Sequence, residues 1–173
     1  ALHLMRTGAA GVVVGVGADS FSTTDAVMGI RVPLASAIAD AAAARRDYLD
    51  ETGGRYVHVI ANGRIETSGA IARALACGAD AVQLGEPLRI AAEAPGGGIW
   101  WDSVAAHPRL PRGTTSAPVE PAGSLHDVLH GAAESADGRT NLFGALARTM
   151  AKTGYRDLKE FQRVDLVIGG HAG

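Results

Sequence analysis

The sequence predicts an α/β fold in which three neighbouring parallel strands alternate with helices in the order β-α-β-α-β. Short runs rich in valine and isoleucine recur without polar alternation, as strands of parallel sheets do. Stretches of strong helix propensity separate them. The connections are short and punctuated by glycine, and under the crossover rules such units place consecutive strands side by side.

Taken in order, Leu2 to Gly8 reads as the tail of a helix rather than a natural start, so an N-terminal truncation is expected. Gly11 to Val16 is the first strand, expected to be covered on both faces. A Gly/Ser/Thr-rich loop follows from Gly17 to Gly29. Leu34 to Thr52 is Ala-rich and helical, with Arg45 and Arg46 on its polar face, and Gly53 and Gly54 stop it. Val57 to Ala61 is the second strand, ending in a turn at Asn62 and Gly63. Thr67 or Ser68 caps the next helix, whose Ile71 and Leu75 share a face and whose stop is Gly78. Ala81 to Gly85 is the third strand. Between Pro95 and Gly138 lie nearly all the prolines, marking a long loop-rich excursion of the kind that covers sites. Asn141 to Lys152 is helical up to Gly154, Asp157 caps a short helix through Phe161, and VDLVIGGHAG is a loose tail.

The composition narrows the class. With 173 residues, 47% hydrophobic, 20% charged and a net charge of -2, the chain reads as one globular unit without a disordered region. Lys and Arg are scattered, which argues against a nucleic-acid partner, and no apolar run approaches the roughly 20 residues of a membrane span. A secretory signal is absent, and a single cysteine, Cys77, excludes an internal disulfide framework, so a cytoplasmic location is expected. Cys77 and His58 read as packed residues, Trp100 and Trp101 as loop packing, and the 6 histidines lack metal-ligand spacing.

A doubly wound sheet fits this pattern as well as a barrel does. The loops after the strands decide between them. Backbone N–H groups at Gly63 and Gly85, with the helix start near Ser68 and Gly69, would form an anion cradle at the strands' C-terminal ends.

Three segments in order then carry a specific resemblance. VGVGADSFSTTDAVMGIRVPLASAIAD is similar to the nucleophile loop of the IMP dehydrogenase and GMP reductase family, usually VGxGPGSxCTTR followed by GxGxPQxTAI, with Ser20, Thr23, Thr24, Gly29 and Pro33 on matching positions. HVIANGRIETSGAIARALACGADAVQLGEPL resembles that family's ADGGIxxSGDIxKALAxGAxxVMxGS, and EAPG follows at the family's distance. Phrases such as DYLDETGGRYVHVI and AAHPRLPRG are similar to the IMP dehydrogenase-related proteins of high-GC bacteria. The resemblance covers roughly residues 5 to 100 and implies the C-terminal part of a (β/α)8 TIM barrel, about strands six to eight. On that reading residues 1–94 are partial barrel, 95–140 a flap-like excursion, and 141–173 the C-terminal helices and tail of the same domain.

What the resemblance implies for chemistry differs from position to position. Family IMP dehydrogenases attack the purine with a cysteine thiolate, pass hydride to NAD and hydrolyse the adduct. That cysteine position is Ser22. A thiol of pKa about 8.5 is partly ionised near neutrality, whereas a serine hydroxyl needs a positioned base. Ser20 matches a phosphate-contacting serine, and Asn62 replaces the ribose-binding aspartate, losing its charge. Gly63 keeps the phosphate loop, Arg64 replaces a glycine in it, and Glu86 follows Gly85 where the family has Ser or Thr. A carboxylate about 4 Å from a phosphate charge costs roughly 4 kcal/mol at an effective dielectric near 20 unless it turns away. Gly15 and Gly17 match cofactor contacts, and Gly17, Asp19 and Ser22 match the carbonyl ligands of a monovalent cation such as K+, with Asp19 standing in place of a glycine. Asp25 replaces a common Arg, and the flap's water-activating Arg-Tyr pair has no counterpart near Ala117 to Gly123.

The implied function is an NAD-linked purine nucleotide oxidoreductase taking IMP to XMP, a homo-oligomer by family, with a degenerate catalytic site. A non-catalytic nucleotide-binding or subunit-interaction paralogue and a GMP reductase-like enzyme acting on GMP are the alternatives.

Overall fold

The structure is a computed structural model that describes residues 1–16, 23–100 and 116–167. Its elements are α1 (Leu2–Arg6), β1 (Gly11–Val14), α2 (Thr23–Ala26), α3 (Leu34–Thr52), β2 (His58–Ala61), α4 (Ser68–Ala76), β3 (Ala81–Val82), a 3-10 helix (Glu86–Ile90), α5 (Leu125–His130), α6 (Leu142–Lys152) and α7 (Leu158–Phe161). The strands form a parallel sheet in the order β1-β2-β3, with Val14 opposite Ala61 and Ala61 opposite Val82. The expected β-α-β-α-β order is therefore present, with each strand shorter than the apolar run that encodes it.

Burial alternates along β1 and β2, which corrects the expectation of strands covered on both faces. Side chains alternate across a strand. Val12, Val59 and Ala61 enter the core with Ile38 and Ala41 of α3 and Ile71 and Leu75 of α4, while Val13 on the other face is 60% exposed. His58 shares that uncovered face and is exposed, not packed as expected. Its period-two position, rather than its apolar neighbours, decides its burial.

The helices begin and end where local chemistry dictates. Thr67 Oγ1 accepts the Ala70 N–H at 3.2 Å at the start of α4, and Asp157 accepts the Glu160 N–H at 2.9 Å at the start of α7. Gly78, just past α4, adopts φ +110°, and a Cβ there would sit 2.7 Å from the Ala42 side chain. Only glycine satisfies both the left-handed backbone and the close packing of α4 on α3. Cys77 beside it is half-buried against the core, as expected.

One carboxylate fastens the helices to the sheet at the N-terminal end of the strands. Asp80 accepts from Arg45 of α3 at 2.6 Å, from the Val59 N–H of β2 at 2.8 Å, and from Tyr56, Lys159 and Gln162. The Arg45 guanidinium and the Lys159 ammonium also lie over the Tyr56 ring, 4.9 and 4.3 Å from its centre. Burial alone would raise the Asp80 carboxyl, but hydrogen bonds from Lys159, Tyr56, Val59 and Gln162 hold it at about 2, below the ordinary 3.8.

Because the folded-state value is depressed, the stabilisation from Asp80 is full above the ordinary carboxylate range and fades as pH falls from about 4 toward 2. Denaturant titrations across this range should show that acid limb, and Asp80→Asn should flatten it. The same substitution leaves Arg45 buried without its anion and should cost about 3–5 kcal/mol at neutral pH. Removing the exposed Lys159 charge should cost under about 1 kcal/mol.

Candidate nucleotide cradle

At the other end of the sheet, the loops leaving β2 and β3 curl toward each other. The Asn62 N–H donates to Val14 O at 2.8 Å and the Gln83 N–H to Ala61 O at 2.8 Å, so the parallel ladder runs right up to both loops. Beyond it lies a cavity of about 130 Å³ lined by Asn62, Gly63, Arg64, Gly85, Glu86 and Trp100. Gly63 and Gly85 thus share one space, as the sequence predicts, together with the other expected residues of these two loops. Ser20, Gly17, Asp19 and Ser22 lie outside the described residues.

Two glycines shape this space by what they lack. A Cβ on Gly15 would overlap the Asn62 carbonyl oxygen. The close approach of β1's exit to the β2 loop therefore fixes where Asn62 sits and requires glycine at position 15. Likewise a Cβ on Gly85 would meet the Trp100 ring at 2.5 Å, so the indole lies directly on the Gly85 backbone. Arg64 holds φ +41°, a left-handed conformation suited to the glycine that the resemblance leads one to expect there, and its side chain is exposed.

Both carboxylates that line the cavity are paired. Glu86 lies 3.6 Å from Arg89 within the 3-10 helix, and Glu66 lies 3.7 Å from Arg139. Arg89 was not foreseen from the sequence, although its spacing of three after Glu86 was the available signal. It also donates to Ser116 Oγ and, at 3.2 Å, to Ala117 O. Ser116 in turn exchanges hydrogen bonds with the Trp100 backbone: its N–H reaches Trp100 O at 2.8 Å and its Oγ accepts the Trp100 N–H at 3.0 Å.

The excursion expected over 95–140 is accordingly tied to the body of the fold and includes α5. Ala92 N–H reaches Gly123 O and Ala122 N–H reaches Ile90 O, both at 2.8 Å, and Glu93 accepts the Leu125 N–H at 2.7 Å. This packing leaves a second, largely apolar cavity of about 540 Å³ beside the first, sharing Gly85 and Trp100 and adding Leu84, Leu88 and Ile99. A small polar cradle beside a larger apolar slot suits a ligand with an anionic end and a flat ring. Among the described residues no cluster of three or more His, Cys, Asp or Glu could hold a metal ion, and no helix is long and apolar enough to cross a membrane.

Residues 1–172 match the family model described as the IMP dehydrogenase / GMP reductase domain. An uncharacterized oxidoreductase of Mycobacterium leprae is 62% identical over 170 residues, covering 97% of this chain and 45% of that protein. The inosine-5'-monophosphate dehydrogenase of Haemophilus influenzae is 46% identical over 96 residues, covering 56% of this chain and 18% of the enzyme. The crystal structure of an IMP dehydrogenase/GMP reductase-like protein from Corynebacterium glutamicum superposes with a TM-score of 0.85 at 55% identity, over 97% of this chain and 44% of that one. The chain spans less than half the length of these relatives.

The contact between Gly15 and Asn62 gives a direct check on the cradle's construction. Gly15→Ala should force the β1 exit and the Asn62 loop apart, costing about 1–3 kcal/mol in urea unfolding. Amide shifts at Asn62 and Gly63 should move while those at Asp80 stay in place.

Proposed function

The chain belongs to the IMP dehydrogenase / GMP reductase family, and from that premise we propose that its cradle binds a purine nucleoside monophosphate without turning it over. The observation that carries this reading is the meeting of Gly63 and Gly85 beside Trp100, where a small polar cavity and a larger apolar one share Gly85 and Trp100 in their linings. Backbone N–H groups of the two loops suit a phosphate, the Asn62 amide suits a ribose hydroxyl, and the apolar slot under Trp100 suits a base. Arg64 adds a cation at the phosphate end. Glu86 weakens anion binding less than an unpaired carboxylate would, because Arg89 balances it.

Turnover is a different matter. Hydride transfer from C2 of IMP requires a covalent adduct, and Ser22 stands where the family's thiolate attacks. The hydroxyl must lose its proton to a base before it can bond to carbon, and loss of a catalytic nucleophile costs around a millionfold in kcat in a comparable case. NAD, when bound, supplies the hydride acceptor. Of its expected contacts Gly15 packs closely against the Asn62 carbonyl and Gly17 lies outside the described residues. The monovalent cation expected at Gly17, Asp19 and Ser22 falls outside the described residues. The same loops serve GMP reductase chemistry, so GMP is the second nucleotide to try.

Calorimetry should give saturable binding of IMP or GMP, weakened about tenfold or more by Gly85→Val, which displaces Trp100. With IMP and NAD, no NADH should form above background. Ser22→Cys alone should not restore it, because Asn62, Glu86 and the flap without an Arg-Tyr pair impair other steps. Robust turnover by the unmodified chain would sink the non-catalytic reading, and absence of any nucleotide binding would sink the cradle.

A further inference from the structure

We infer that the cavity between α3 and α4, which adjoins the nucleotide cradle and shares Gly63, Arg64 and Ile65 with it, is a second binding site, for a phosphomonoester. The cavity has a volume of about 220 Å³, an apolar floor that includes Leu34, Ile38 and Ala74, and a rim bearing Arg31, Arg64 and Arg73. Asp25 is its one acidic lining residue and lies 3.4 Å from Arg31. Three guanidiniums against one carboxylate make this space positive in a chain whose net charge is -2.

Among the described residues only Arg31 of the three arginines has an acidic partner, Asp25. Neither Arg64 nor Arg73 has an ion-pair partner among the described residues, and like charges around one space repel unless a ligand or ions screen them. Arg73 folds back along α4, with Nη1 3.5 Å from where a Cβ on Gly69 would lie, so its guanidinium covers the first turn of the helix. The nucleotide cradle has the opposite balance, with Glu66 and Glu86 set against Arg64. Arginine forks match phosphate oxygens in geometry and charge, and the aliphatic floor accepts the organic part of an ester. A bare cationic surface would offer no such floor.

Phenyl phosphate is the probe, followed by calorimetry and amide NMR shifts on the full chain. Saturable binding is expected, moving the Leu34, Ala35 and Gly69 amides and weakening with added salt. Arg73→Gln should weaken it about tenfold, and Arg31→Gln with Arg73→Gln should abolish it. IMP affinity should be unchanged in the same double variant, so this site and the nucleotide cradle fail or stand separately. Thermal unfolding of the variants, both at exposed positions, checks that they stay folded. Absence of saturable binding would overturn the assignment. So would binding that the double variant leaves intact, or shifts confined to Gly85 and Trp100.

Discussion

The Asp80 carboxylate is the constraint around which the rest of this molecule is arranged. A buried charge is costly unless every oxygen is satisfied, and here the partners come from α3, β2, the loop before β2, α7 and the residue just after α7. Such a group specifies geometry more than it adds net stability. Arg45 fixes where α3 crosses the sheet, the Val59 N–H fixes the level of β2, and Gln162, which also donates to Ala79 O at 2.6 Å, fixes the end of the chain's last helix. With those three settled, the apolar faces of α3 and α4 can close on Val12, Val59 and Ala61 in only one register.

The opposite end of the strands is built on different principles. There the spacing is set by backbone contact, Gly15 against Asn62 and Gly85 against Trp100, and by the hydrogen bonds that Arg89 and Ser116 use to hold Trp100 in place. Close backbone contacts locate loops without specifying the side chains at neighbouring positions. Arg64, Asn62 and Glu86 can therefore differ from the residues expected at their positions without disturbing the strands beneath them.

Much of this was legible in the sequence where the signal is local. The span of α3 is the Ala-rich run from Leu34 to Thr52, and the caps Thr67 and Asp157 sit where their side chains predict. Gly63 and Gly85 meet because parallel order alone puts their strand ends together. What remained hidden depends on distant partners. The 3-10 helix at Glu86–Ile90 and the helix at Leu125–His130 are held by pairing of residues 90–92 with 122–123 across a long excursion, which no periodicity reveals. His58 read as packed because the run around it is apolar, yet its face of the sheet is uncovered within the described chain. The close approach of Gly15 to Asn62 is likewise visible only in three dimensions.

The distance along each strand between the Asp80 knot and the glycine loops has an evolutionary meaning. Mutations that end a reaction strike the loops, whereas mutations that end folding strike the knot or the helix faces, and the two sets share few atoms. A lineage can therefore shed its chemistry through drift at Ser22, Asn62 or Glu86 while its shape persists under ordinary selection for folding.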